Sequence, residues 1–253
     1  MQKINGTRFV VANWKMNLGP SAAKDLAFKI VQSASQFKQV ETWIAPPFVS
    51  ITSVVEMANV STVKVGAQNA HWEDSGAFTG EISLIMLKEI GAMFVIIGHS
   101  ERRHLFNETN EIIKKRLFAS LNNDFKTILC IGETDNERSA NKTEQVLKTH
   151  LSTALADVPK NLLSNLIVAY EPVWAIGTGK VADVSTISST HQFIRSQLNE
   201  LSGSLPIPIL YGGSVTPDNF EDILSVSEVA GALVGGASLD IVKFAKLIEI
   251  AAS

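Results

Sequence analysis

The sequence predicts a closed (β/α)8 barrel, and three observations carry that prediction. Eight short apolar runs of strand length recur along 253 residues, segments with helical spacing separate them, and no Pro/Gly/Ser-rich linker or low-complexity tract divides the chain. Uninterrupted apolar strands alternating with amphipathic helices describe a parallel sheet covered on both faces. Eight such units in about 250 residues match the size of a closed barrel, so residues 1–253 read as one barrel domain. An open doubly wound sheet is the competing arrangement, because local pattern does not report closure.

Taken in order, the strand runs are residues 9–12, 42–45, 63–67, 94–97, 127–131, 166–170, 207–210 and 232–234. Each is short, rich in Val, Ile, Leu, Phe or Ala, and ends abruptly at a polar residue or glycine. Helical spacing runs over 22–37, 110–121, 142–155, 186–201 and 241–251, several of these preceded by Ser, Thr, Asp or Asn as caps. The connections 50–59, 82–90 and 217–225 carry weaker helical patterns.

Composition narrows the functions. Hydrophobic residues make up 45%, enough for a substantial core, and 22 Lys and Arg against 25 Asp and Glu leave a net charge of −3. The basic residues are scattered, so no nucleic-acid partner and no membrane partner is implied, and any anionic ligand must be held locally. A lone cysteine, Cys130, excludes an intrachain disulfide and suits a reducing compartment. The N-terminal segment is too polar for a signal peptide and no apolar run has transmembrane length, so a cytoplasmic location is expected.

In a barrel the chemistry gathers at the C-terminal ends of the strands. The first ends in Asn13, Trp14 and Lys15, with Asn13 and Lys15 on one face by period-2 alternation. Taken alone, Lys15 is a solvated loop charge; beside Asn13 it is either an electrostatic anchor or an imine-forming nucleophile, and the residues leave both open. The fourth ends in Gly98, His99, Ser100 and Glu101, where a helix start disfavours a protonated imidazole and leaves a neutral donor. The sixth ends in Glu171, followed by a rigid proline and then Gly177 and Gly179, the pattern of a base with a lid. Trp174 lies in that lid.

Gly212 and Gly213 follow the seventh strand, Gly235 and Gly236 the eighth. One Gly-Gly pair is a turn; two pairs at these two strand ends suggest backbone N–H groups cradling a phosphate. His71, His104, His150 and His191 show no metal-type spacing, and Cys130 reads as a buried small hydrophobe. A carboxylate, an imidazole, a lysine and a phosphate cradle, with no nucleotide loop and no metal cluster, point to proton abstraction beside a carbonyl in a small phosphate ester, a reaction that needs no cofactor.

These stretches resemble the triosephosphate isomerase family nearly end to end: ANWKMN at 12–17, GAQNA at 66–70, SGAFTGEIS at 75–83, IIGHSERR at 96–103, CIGE at 130–133, AYEPVWAIGTGK at 169–180, YGGSV at 211–215 and LVGGASL at 233–239. The resemblance implies a TIM barrel that interconverts dihydroxyacetone phosphate and D-glyceraldehyde 3-phosphate through an enediolate, in glycolysis and gluconeogenesis. It implies Glu171 as base, His99 as neutral electrophile, Lys15 as anchor with Asn13 beside it orienting substrate, and Glu101 holding Lys15. Gly177, Ser214, Gly235 and Gly236 would bind the phosphate. Tyr211 and Ser214 would latch the lid near Ala182 and Gly179, and Trp174 would take Glu133 as acceptor when the lid closes.

The same resemblance implies a homodimer, formed through the loop at 69–81 with Thr79 near its tip. The chain departs from the family's usual pattern after Lys180, where VADVST occupies the rear hinge of the lid and either Asp183 or Ser185 would cap the next helix. An aldolase using Lys15 and a non-catalytic scaffold are the competing readings. Against the scaffold, Asn13, Lys15, His99 and Glu171 are all intact.

Overall fold

The structure, a computed structural model, describes residues 6–176 and 181–253. Eight parallel strands close into a barrel in chain order: β1 (Arg8–Asn13), β2 (Val40–Ala45), β3 (Lys64–Ala67), β4 (Phe94–Ile97), β5 (Lys126–Ile131), β6 (Leu166–Tyr170), β7 (Ile209–Tyr211) and β8 (Gly231–Val234). Closure is made by β1 against β8, with Val10 opposite Ala232 and Ala12 opposite Val234. The open sheet is thereby excluded.

Strand alternation sorts the apolar residues into two cores. Val11, Trp43, Phe94, Ile96, Ile128, Cys130, Ile167, Leu210 and Leu233 fill the barrel interior. Their chain neighbours Val10, Ile44, Val95, Ile97, Leu129, Val168 and Ile209 face the helices instead. Both faces of each strand are apolar for this reason, and fully burying one of these larger side chains stabilises the fold by roughly 1.5–3 kcal/mol. Cys130 packs as the buried small hydrophobe that its surroundings in sequence suggest.

The surrounding helices are α1 (Pro20–Ala34), α2 (Ile51–Ala58), α3 (Leu84–Glu89), α4 (Ser100–Leu105), α5 (Asn110–Asn122), α6 (Asp135–Ser139), α7 (Thr143–Leu155), α8 (Val184–Ser202), α9 (Phe220–Ser225) and α10 (Ile241–Ala252). Pro20 opens α1 at the first helical turn, where its missing N–H costs nothing. Asp183, one of the two candidate caps, caps α8: its Oδ1 accepts the Thr186 N–H at 2.6 Å. The short α6 is absent from the helical segments expected from periodicity. It is held by a reciprocal capping box between Thr134 and Glu137, not by an apolar face, and buries no residue. β7 begins at Ile209, not at residue 207, because Pro208 has no N–H for the ladder; its carbonyl still accepts from Val168 at 2.9 Å. No helix among the described residues is long and apolar enough to cross a membrane.

Candidate active site

At the end of β1 the chain turns sharply. Asn13 is buried and its Oδ1 accepts the Lys15 N–H at 3.1 Å. Lys15 itself has φ +52°, the left-handed region that a side chain enters at a cost of roughly 1 kcal/mol or more. Gln68, just past β3, donates to the Lys15 carbonyl at 2.8 Å and to the Ala45 carbonyl at 2.9 Å, clamping the turn. The Lys15 ammonium then donates to Oε1 of Glu101 at 2.6 Å.

Past β4, His99 is the N-cap of α4. Its Nδ1 accepts the Glu101 N–H at 3.2 Å, and its Nε2 lies 2.9 Å from Oε1 of Glu171. An Nδ1 that accepts a backbone N–H carries no proton, so the ring proton belongs on Nε2 and points at Glu171. Burial lowers the His99 basicity, but the charge of Glu171 and the hydrogen bond to it raise it, and the net direction is upward. The ring thus presents Nε2 as a donor to Glu171, while the expected lowering by the helix start is opposed by a carboxylate that arrives from β6.

Glu171 follows Tyr170 at the end of β6 and is buried. Its N–H is held by the Ile131 carbonyl at 2.8 Å, and its Oε2 accepts the Ser100 N–H at 2.8 Å. Burial pushes this carboxyl up, whereas the charge of His99, its hydrogen bond, the Ser100 N–H and Lys15 push it down; the net direction is below the ordinary carboxylate range.

The front of the segment after Glu171 is tied to β5. Pro172 leads into a single tight turn at Val173–Ala175. Trp174 Nε1 donates to Oε1 of Glu133 at 2.9 Å, the Tyr170 hydroxyl donates to the same oxygen at 3.2 Å, and Arg138 Nη1 to it at 3.3 Å. The Arg138 guanidinium also covers the Trp174 ring, 4.5 Å from its centroid. Ser214 donates its hydroxyl to the Ala175 carbonyl at 2.7 Å. Tyr211 is buried, and burial pushes its phenol up to about 12 while the Ala182 backbone opposes that rise. Gly177, Gly179 and Lys180 lie outside the described residues.

These groups surround one cavity of about 350 Å³, lined by Asn13, Lys15, His99 and Glu171 and by Gly212, Gly213, Ser214, Gly235 and Gly236. All the described residues singled out at strand ends for catalysis or phosphate binding thus meet in one place. The loop after β8 is pinned by Ser238, whose hydroxyl and N–H both donate to the Gly235 carbonyl, at 2.6 and 2.9 Å. Sequence reasoning missed Gln68, Arg138 and Lys243, the last of which also lines the cavity. Gln68 lies inside the GAQNA motif, but its partner Lys15 is 53 residues away and only folding pairs them. Among the described residues no group of three or more His, Cys, Asp and Glu is arranged to hold a metal ion.

Farther along the loop after β3, His71 stacks on Trp72 at 4.1 Å and packs on Phe78 at 4.3 Å, and Arg116 anchors the base of the loop through the Ala70 carbonyl at 2.6 Å and Glu81 at 3.2 Å. Thr79 is exposed.

Comparison with known proteins adds to this geometry. A family profile described as triosephosphate isomerase matches residues 8–251. The chain is 46% identical over 244 residues to a triosephosphate isomerase of Thermodesulfovibrio yellowstonii, covering 96% of this chain and 98% of that one. It is 43% identical over 244 residues to one from Natranaerobius thermophilus, covering 96% and 95%, and 46% identical over 243 residues to one from Lawsonia intracellularis, covering 95% and 96%.

Proposed function

Since this chain belongs to the triosephosphate isomerase family, interconverting dihydroxyacetone phosphate and D-glyceraldehyde 3-phosphate in glycolysis, we propose that Glu171 is the base and His99 the electrophile of that reaction. The observation that carries the assignment is the 2.9 Å contact between His99 Nε2 and Glu171 Oε1, with Nδ1 occupied as an acceptor.

The carboxylate rests on His99 and on the Ser100 N–H. A substrate oxygen that takes the Nε2 proton's hydrogen bond releases Glu171 from its strongest partner. Burial remains while the His99 contribution, the largest of those that lowered its pKa, is weakened, so the carboxylate becomes a stronger base as substrate binds. Gly212 leaves space beside it: a Cβ there would lie 2.9 Å from Glu171 Cγ. Glu171 takes the proton from one carbon, His99 Nε2 and the Lys15 ammonium stabilise the enediolate oxygens with Asn13 orienting the turn, and the proton returns one carbon along. Glu101 holds Lys15 in place. A lysine already donating to a carboxylate at 2.6 Å is suited to fixed charge, not to imine formation.

Ser214, Gly235 and Gly236, together with Gly177, are assigned to the substrate phosphate, and Trp174 and Tyr211 to the lid. A closed lid excludes water from the enediolate and limits loss of phosphate from it. The homodimer reading, through the loop around Thr79, is supported by the exposed apolar side chains Met16, Phe78, Ile85 and Met86. The single-domain reading of residues 1–253 is supported by the pairing of β1 with β8. A cytoplasmic location is supported by the lone, buried cysteine.

The test is triose phosphate interconversion by the wild-type chain beside Glu171→Gln and His99→Gln, with no added metal or nucleotide. Fast wild-type turnover with both variants crippled is the expected result. A fully active Glu171→Gln would remove the base assignment, and borohydride trapping of Lys15 with a keto-phosphate would replace the isomerase mechanism by an imine one.

A further inference from the structure

Arg103 stands outside the cavity, one turn into α4 from His99, and its guanidinium folds back beneath the end of β4. Nε donates to the Gly98 carbonyl at 2.8 Å, Nη2 to the Cys130 carbonyl at 2.9 Å, and Nη1 to Oδ1 of Asn110 at 2.7 Å. The paired register of β4 and β5 ends at Ile97 opposite Leu129, so both carbonyls belong to the residues just past it. A planar fork spans two strand ends there, which the point charge of a lysine does not reproduce. Gly98 makes the room: its φ is +73°, and a Cβ would lie 3.1 Å from Arg103 Nη2 and 3.3 Å from the Cys130 carbonyl oxygen.

The clamp bears on both partners in proton transfer. His99 follows Gly98 directly, so the peptide whose oxygen the guanidinium holds also sets the direction of the imidazole. On the other side Glu171 hangs from β5 through the Ile131 carbonyl at 2.8 Å, one residue beyond Cys130. We propose that Arg103 is a positioning residue for the isomerisation: by tying Gly98 to Cys130 it registers the end of β4 against the end of β5 and so sets the separation of His99 from Glu171. The inference rests on the reading of those two residues as electrophile and base.

The experiment compares Arg103→Lys and Arg103→Ala with wild type for kcat, KM, inhibition by inorganic phosphate and thermal midpoint. It also measures whether millimolar guanidinium chloride, against ammonium chloride at equal ionic strength, restores the Ala variant. The expected result is a kcat lowered about ten- to hundredfold in both variants, by the geometric sensitivity of positioned groups. KM and phosphate inhibition stay within about twofold, because the clamp does not face the phosphate loops, and guanidinium partly restores kcat. A folded variant with unchanged kcat and only a lowered midpoint would reduce Arg103 to a stabilising residue and overturn the proposal, as would a loss confined to KM and phosphate inhibition. Should the Ala variant fail to fold, Arg103→Lys decides alone. Glu171→Gln assayed in parallel separates the two readings: if it is crippled while Arg103→Lys is intact, only the positioning role is lost, and if it is active the base assignment itself is lost.

Discussion

Trp174 donates its indole N–H to Glu133 at 2.9 Å, and that carboxylate has no solvent exposure. One buried oxygen therefore collects the turn that follows Glu171 through Trp174, the end of β6 through Tyr170, and Arg138 from α6. Glu133→Ala is expected to cost on the order of 2 to 3 kcal/mol, below the full penalty for breaking a buried pair because Arg138 stays partly exposed. Trp174, losing its acceptor, should emit further to the red. Urea unfolding and a fluorescence difference against Trp174→Phe check both; an unshifted spectrum would mean that Glu133 does not hold the turn at Val173–Ala175.

Shortening the base is expected to be severe. Glu171→Asp withdraws the carboxylate by one methylene and should lower kcat on the order of a hundredfold or more, with a smaller effect on KM. The pH profiles should also separate. In the free enzyme the His99 and Ser100 partners hold Glu171 ionised below the ordinary carboxylate range, so kcat/KM is lost only as pH falls through that low value. With His99 engaged by substrate instead, the acid limb of kcat should lie higher. Steady-state rates across the acid range test the order of the two limbs.

Acid should weaken the fold through His191. It is fully buried against Tyr170 and Tyr211, and burial pushes its imidazole down to about 4. The ring is neutral in the folded state, whereas the unfolded chain binds a proton below about 6.5. Between those values the unfolded state holds more protons, so stability is complete above about pH 6.5 and falls toward pH 4, by about 3 kcal/mol for this residue. His150, pushed down to about 3 by burial and by the nearby Arg103 and His104, acts in the same direction. Denaturant unfolding of His191→Phe should show a shallower loss between pH 6.5 and 4 than wild type; an equal slope would assign the acid lability elsewhere.

Cys130 should be inert in the native protein. Its thiol is enclosed in the barrel interior, and burial, reinforced by the charge of Glu171, pushes its pKa well above the usual thiol range. A thiol-reactive disulfide reagent at pH 8 should label less than a tenth of the protein before unfolding and nearly all of it afterwards, by roughly the ratio that opening of a stable core allows. Rapid labelling of the folded chain would contradict the packing described for β5.

Much of this was legible before folding. The strand count, the parallel arrangement and the polar residue that ends each of β1, β4 and β6 follow from apolar runs of strand length, which are local properties of the chain. Element ends were less legible: α6 carries no apolar period and is made by side-chain capping, and β7 yields its first residues to Pro208. The lone charge of Lys15 leaves two chemistries open in the sequence, and its ion pair with Glu101 is legible only in the folded chain.

By itself the sequence determined which residues could do the chemistry and that they would stand at strand ends, because side-chain type and hydrophobic period are written residue by residue. Tertiary structure decided which of them touch. Closure of β1 on β8, the Ser100 N–H on Glu171 from 71 residues away, Gln68 on Lys15 and the Arg103 fork between two strand ends all join groups far apart along the chain. A hydrogen bond or a pKa shift depends on the distance between two such groups, and that distance exists only once the barrel has closed and brought the strand ends to one mouth.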